Sequence, residues 1–296
     1  MPSLGSYPAY SAPMSTTKPA SDEPTIERVA LSTASGEPRE DDPKEGKDFV
    51  TALARGLQVL SCFRSGHKLL GNQELAERCK LPKSTVSRLT ATLTQLGYLV
   101  QVKDSAKYRL GTATLALGTA MLSQLDVRQL ARPLMQELAG FAHGTVSLGA
   151  RDRFSMIYIE NCRSSAPLTL SMDVGSRIPI ATSAMGRAYL AVVGERERRE
   201  VMERVQEYDE LAWPAIRAGI EKAMADHATL GVTCSFGDWQ KDVNGIARAF
   251  NPGGGLPPMV INCGGPASSL SPQFLLEEVR PRLVELIARL ETSLPG

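Results

Sequence analysis

The chain has 296 residues, of which 43% are hydrophobic, with 33 Lys+Arg against 32 Asp+Glu and a formal net charge of +1. That length and apolar content suit about two domains with buried cores, and the balanced total excludes a chain that is uniformly basic or acidic. No apolar run is long enough to span a bilayer and none follows a basic start, so neither a membrane segment nor a secretory signal is expected, and the expected location is the cytoplasm.

Residues 1–48 hold 7 of the 19 prolines, five Lys+Arg against nine Asp+Glu, and no periodic apolar stripe. This composition predicts a disordered extension. From Phe49 the pattern turns helical, with Val50, Leu53, Leu57, Leu60 and Phe63 as a stripe that Ser65-Gly66 breaks. This helix should pack behind the next ones. Arg55 lies on its outer side, where it either reaches a phosphate or is an ordinary exposed arginine.

The stretch Gly71 to Gly111 reads as two helices followed by a hairpin. The first helix should open at Asn72, as a capping residue, with Glu74 favoured in the first turn and Leu75, Ala76 and Cys79 on one face. Pro82 ends it, because the residue before a proline is pushed out of the helical region and proline has no amide to donate. A second helix then starts near Lys83, with Val86, Leu89, Leu93 and Leu96 as its dry stripe. Lys83, Ser84, Thr85, Ser87 and Arg88 stand at its start, where small hydroxyls and cations suit either the major groove or plain solvent. Gly97 fits a left-handed helix stop. Tyr98, Val100 and Val102 alternate with polar residues, and Tyr108 and Leu110 resume after an Asp104-Ser105-Ala106 turn, giving a hairpin with Lys103 and Lys107 near its tip.

Charge decides between the two readings of that helix. Residues 49–111 carry 10 Lys+Arg against 3 Asp+Glu, whereas the chain as a whole is nearly neutral. A winged helix-turn-helix that also concentrates the positive charge points to duplex DNA.

Thr112 can cap a helix to Leu122, with Leu115, Leu117, Gly118 and Met121 supplying contacts; residues 112–125 read as a linker. A second helix follows from about Asp126 to Phe141 with Leu130, Leu134 and Leu138 aligned. Alternation then begins. Residues 146–150 and 154–159 flank an Arg151-Asp152-Arg153 turn, and Leu168, Leu170 and Met172 suggest a further strand. Helices are expected over 183–193, 195–205 and 215–230, strands over 231–236, 243–250 and 259–264, and a last helix over about 272–290. The fold class is therefore α+β: an N-terminal winged helix-turn-helix (49–111), a linker helix (112–125) and a C-terminal domain (126–296) built on an antiparallel sheet.

Catalysis finds no support. His67, His143 and His227 are far apart, with no HExxH or CxxC pattern; Ser183 is not in a nucleophile elbow, and Gly253-Gly254-Gly255 is a turn insertion rather than a phosphate loop. His143 suits a helix C-cap. Cys62, Cys79, Cys162, Cys234 and Cys263 are scattered in apolar contexts and read as reduced, buried thiols, with a redox switch as the alternative. No catalytic residue, metal or cofactor is expected.

The runs Leu53-Ala54-Arg55-Gly56-Leu57-Gln58-Val59-Leu60, Glu74-Leu75-Ala76, Ser84-Thr85-Val86-Ser87-Arg88-Leu89, Leu96-Gly97-Tyr98 and Tyr108-Arg109-Leu110-Gly111 resemble the IclR family of bacterial transcriptional regulators. Ala131-Arg132-Pro133, Val174-Gly175-Ser176-Arg177, Ala184-Met185-Gly186-Arg187-Ala188 and Gly265-Pro266 continue the likeness from Phe49 to the end. The resemblance implies a GAF-like C-terminal domain that holds a small effector, often a carboxylate, and a homodimer or homotetramer on operator DNA. By the same likeness, the effector contacts would be backbone amides at Ala184 and Met185, after a Val-Gly-Ser-Arg strand, with Asp238, Gly245, Asn262 and Gly264. Gly245, Asn262 and Gly264 depart from the glyoxylate-sensing branch, which puts that ligand in doubt. Trp239 offers a flat apolar surface that either meets an aromatic effector or lids the core. The alternative is a ligand-independent DNA-binding repressor whose second domain only oligomerises.

Overall fold

The computed structural model describes residues 49–63, 69–165 and 172–294. The expected N-terminal extension, His67 and the strand positions Leu168 and Leu170 lie outside the described residues.

The N-terminal unit runs α1 (Thr51–Ser61), β1 (Leu70–Gly71), α2 (Asn72–Cys79), α3 (Lys83–Gln95), β2 (Leu99–Gln101) and β3 (Lys107–Leu110). Its core gathers Val59, Cys62, Leu70, Leu75, Ala76, Cys79, Val86, Leu93, Leu99 and Tyr108. The α2–turn–α3 corner forms where the sequence places it: Lys80 closes α2 in a left-handed conformation and α3 starts directly after Pro82. Gly97, at φ +77°, makes the sharp exit toward the hairpin.

Several sequence expectations fail in an informative way. The cap of α2 is not Asn72: Gly71 precedes the helix, and its amide donates to Glu74 Oε2 at 2.8 Å, while Asn72 Oδ1 accepts from Thr90 Oγ1 at 3.1 Å. In α1 the first half of the expected stripe is turned outward, whereas Leu60 and Phe63 pack against the core as expected. Val50, Leu53 and Leu57 are exposed, and Gly56 and Val59 face the core instead. In α3, Leu96 is exposed and Thr90 takes a core place. The hairpin is only partly in phase: Tyr108 is buried and Tyr98 packs on the core as expected, but Leu99 points inward in place of Val100, and Leu110 is exposed. A third strand, β1, pairs with β3 through Leu70↔Tyr108 and Gly71↔Lys107, giving the order β1-β3-β2. Two residues are too short a strand to show in a sequence pattern.

The linker is α4 (Thr112–Ser123), which begins after Gly111 rather than at a Thr112 cap. None of its residues is buried; Leu115, Leu117 and Met121 do not make the intrachain contacts expected of them. Next comes α5 (Asp126–Ala142), whose buried line is Val127, Ala131, Met135, Leu138, Ala139 and Ala142; of the expected series Leu138 is buried and Leu134 packs on the core, while Leu130 is exposed. His143 ends it in a left-handed conformation, as its place before Gly144 suggested.

The C-terminal unit continues with β4 (Thr145–Asp152), β5 (Ser155–Arg163), β6 (Arg177–Pro179), α6 (Ala184–Val192), α7 (Glu195–Tyr208), α8 (Trp213–Leu230), β7 (Thr233–Phe236), β8 (Val243–Phe250) and β9 (Met259–Pro266). A final helix runs from α9 (Pro272–Phe274) through a π-turn segment (Leu275–Val279) into α10 (Arg280–Ser293). Val174-Gly175 is a turn, so the strand of that region starts only at Arg177.

The sheet order is β6-β5-β4-β9-β8-β7, antiparallel at each recorded pairing. One face packs on α5 and the C-terminal helix through Val146, Leu148, Ile159, Ile246, Ile261 and Leu283. The other packs on α6 and α8 through Met156, Tyr158, Met185, Leu190, Ile220, Ala247 and Val260. A β-bulge where β5 passes Leu148/Gly149 adds one residue to that strand. It lets Ile159 and Glu160 share the α5 side while Tyr158 and Asn161 take the α6 side. Glu160 is buried there between Arg132 at 2.6 Å and Arg128 at 2.8 Å, both from the first turns of α5.

Candidate functional site

Two places on the molecule carry unspent chemistry. The first is the outer surface of α3. Lys83, Ser84, Ser87 and Arg88 are exposed along its first turns, with Thr85 half-buried behind them. Lys83 Nζ lies 3.4 Å from Gln73 Oε1, which holds its ammonium over the corner between α2 and α3. The helix is fixed from behind by Val86, Thr90 and Leu93, so its polar face is presented rigidly. Small hydroxyls at the front let a helix approach base edges, and an arginine can address a guanine in bidentate fashion.

The hairpin stands beside it. Its tip is closed by Val102 N–H donating to Lys107 O at 2.9 Å and Ser105 N–H donating to Val102 O at 3.1 Å, with Asp104 left-handed at φ +60°. Lys103 and Lys107 are both exposed on it. Lys107 Nζ is also 3.9 Å from Glu74, so part of its charge is balanced locally. Arg55 is exposed on α1.

The second place is the α6 side of the sheet. Ser183 caps α6: its Oγ accepts from Gly186 N–H at 3.1 Å and donates to Pro179 O at 2.6 Å. Gly186 is required there, because a Cβ would stand 2.1 Å from Ile180 O and 2.3 Å from Ile180 Cα. The turn therefore sits hard against the segment before it. The side chain of Met185 packs over Gly149 of β4, so only the backbone amides of Ala184 and Met185 could address a ligand.

Gly245 and Gly264 face each other across β8 and β9, and Asn262 lies opposite Ser147 of β4. Three polar atoms on or near this face are buried and have no hydrogen-bond partner among the described residues: Asn262 Oδ1, Thr145 Oγ1 and Trp239 Nε1. Such atoms are costly, and a ligand or ordered water would satisfy them. Trp239 packs against the core on this side of the sheet. Asp238 forms an ion pair across this part of the domain. Its Oδ2 accepts from Arg187 at 2.6 Å, and the buried Arg187 also donates to Ala181 O and Cys234 O at 3.1 Å each. Asp238 thus orients the loop that carries Trp239.

Sequence reasoning missed the other polar residues here. Ser147 Oγ donates to Asn161 Oδ1 at 2.7 Å, and Asn161 in turn donates to Met172 O. Tyr158 lies among them; burial pushes its phenol up to about 12, against hydrogen-bonding from Ser147 and Asn262, so it stays protonated at neutral pH. The signal was present as Thr145-Val146-Ser147-Leu148-Gly149, which alternates polar or small residues with aliphatic ones. Nothing in the sequence said which side would meet a second helical layer.

Comparison with known proteins gives a consistent result. Residues 52–103 match the family described as IclR helix-turn-helix domain, and residues 119–250 match that described as bacterial transcriptional regulator IclR C-terminal. The chain is 35% identical over 253 residues to the HTH-type transcriptional regulator TsaQ1/TsaQ2 of Comamonas testosteroni, covering 85% of this chain and 91% of the relative. An IclR family transcriptional regulator from Brucella abortus superposes with a TM-score of 0.80 at 41% identity, covering 92% of this chain and 100% of that one. An IclR homolog from Microbacterium hydrocarbonoxydans, complexed with 4-hydroxybenzoate, shares the fold at 23% identity with a TM-score of 0.65, over 82% of this chain and 98% of its own.

Proposed function

The chain belongs to the IclR family of DNA-binding transcriptional regulators, which are not enzymes, and we propose that a small metabolite bound on the α6 side of its sheet controls its grip on an operator. Two copies place their α3 helices in successive major grooves of a roughly palindromic site. Lys83, Ser84, Thr85, Ser87 and Arg88 face the groove, and Arg55, Lys103 and Lys107 hold phosphates on either side. The support is the exposed cationic and hydroxyl face of α3 beside a basic hairpin in a unit with a strong positive excess.

The effector reading is carried by one observation, the unpartnered Asn262 Oδ1, Thr145 Oγ1 and Trp239 Nε1. A ligand with an aromatic or short carbon body and hydrogen-bonding ends suits them: the indole supplies a flat wall, the glycines at 245 and 264 leave room, and a carboxylate can sit at the start of α6 near the amides of Ala184 and Met185. A ligand that prefers one arrangement of the dimer shifts it toward or away from the DNA-competent form. The protein acts in the cytoplasm as a homodimer or a dimer of dimers; among the described residues, no helix is long and apolar enough to cross a membrane.

Isothermal calorimetry against aromatic and aliphatic carboxylates tests this, followed by operator titrations with each binder. Asn262→Leu should abolish the heat while leaving operator affinity intact. If none of these compounds binds, or if binding leaves operator affinity unchanged, the C-terminal domain is an oligomerisation unit only.

A further inference from the structure

The two cysteines of the DNA-binding unit meet. Cys62 follows the last turn of α1 and Cys79 ends α2, and their Sγ atoms lie 3.3 Å apart in the core, 17 residues apart in sequence. Cys62 Sγ–H points to Gln58 O at 3.4 Å, which leaves Cys79 as the donor in the sulfur–sulfur contact. The two helix ends are tied further on both sides: Gln58 Nε2 donates to Cys79 O at 3.2 Å, and Arg78 donates to Cys62 O at 3.3 Å. The pair is thus held in register before any covalent bond exists.

The other three cysteines cannot do the same. Cys162 on β5, Cys263 on β9 and Cys234 on β7 fall in one row across the sheet, with Val146 and Ile246 between them. Each neighbouring pair is two strand spacings apart, roughly 9–10 Å, which is beyond the reach of a disulfide.

We propose that Cys62 and Cys79 are a site of reversible oxidation, at which a peroxide joins the two sulfurs and bonds the end of α1 to the end of α2. One thiol attacks the O–O bond, giving a sulfenic acid and water; the second thiol displaces the sulfenic hydroxyl, giving the disulfide and a second water. Two electrons pass from sulfur to the peroxide, and a dithiol reverses the step. A bonded pair needs an S–S separation of about 2.05 Å, so the sulfurs close by little more than an ångström. The recognition helix α3 stays seated on a stiffer support. The hydrogen bond to Cys62 and then burial keep the Cys79 thiol well above its ordinary value, so the reaction is slow and needs a sustained excess of oxidant.

Full-length protein treated with millimolar hydrogen peroxide should lose two hydrogen masses and regain them with dithiothreitol. Non-reducing tryptic mapping should join the peptide carrying Cys62 to the one carrying Cys79. The oxidised protein should melt several degrees higher in its N-terminal unit, and operator affinity should change by less than about threefold. Cys62→Ser and Cys79→Ser should each prevent the mass loss, and Cys162→Ser should not. A map that shows sulfinic acid on either residue, a link to another cysteine, or no link at all overturns the proposal, and because it is read on the wild-type protein it does not depend on the variants folding. A lowered melting point on oxidation overturns it as well, since it would mean the bridge does not fit.

Discussion

The linker α4 should hold two copies together, and replacing Leu115 by Glu should take them apart. A helix that is apolar on every side and still has no buried residue within its own chain lacks a partner. Leu115, Leu117 and Met121 are 69%, 60% and 50% exposed. Full burial of such a side chain contributes about 2 kcal/mol, so covering what remains is worth about 1.2 kcal/mol each on average, or about 7 kcal/mol across two copies. Leu115→Glu removes about 1.4 kcal/mol of this per copy and forces a carboxylate into the contact, which adds roughly 1 kcal/mol more at each site. The dimer should weaken by about 5 kcal/mol, on the order of several thousandfold in dissociation constant. Sedimentation velocity over a wide concentration series reads this directly, with a thermal melt to show that the variant is folded. If the variant keeps the wild-type mass at every concentration, α4 is covered by something other than a second copy.

Arg88→Ala should weaken operator binding by about 1–3 kcal/mol and relax the preference at one base pair, which competition footprinting would show; an unchanged footprint removes Arg88 from the groove. Replacing Lys103 and Lys107 together by Ala should flatten the salt dependence of binding by up to about two units of slope, with Lys107 giving the smaller share because Glu74 already offsets it. An unaltered slope places the hairpin off the DNA. His227 has its pKa lowered by burial and then by Arg248. The native state therefore binds fewer protons than the unfolded one below about pH 6.5, and this contribution to stability is intact above that pH and is lost as pH falls. His227→Gln should flatten the decline of the melting point between pH 7.5 and 5.5; an identical decline assigns it to other groups.

How much could be read in advance follows from how local each feature is. The α2–turn–α3 corner, Gly97 and the hairpin tip are written in adjacent residues, because proline, glycine and polar turns act within a few positions. The orientation of α1 was not legible. It is apolar on two sides, Gly56 and Val59 on one and Leu53 and Leu57 on the other, and only the packed structure tells core from open surface. The polar face of the sheet beside α6 was half-legible. Positions 245, 262 and 264 could be carried over from the family, but Thr145, Ser147, Tyr158 and Asn161 join them only through the β4–β5 and β4–β9 register. The ion pair of Asp238 was not legible because its partner, Arg187, lies 51 positions away in the chain.

The consecutive residues Glu160 and Asn161 leave opposite sides of one strand, so β5 sends a polar side chain to each face of the sheet at adjacent positions. Asn161 belongs to the polar network where a metabolite would settle, and Glu160 grips the opening turns of α5, the helix that follows the linker. A small roll of the strand would move both ends at once. Uprooting Glu160 from its two arginines would strand a carboxylate away from water at a cost of about 3–5 kcal/mol, more than the roughly 1–3 kcal/mol by which one ligand ordinarily biases another.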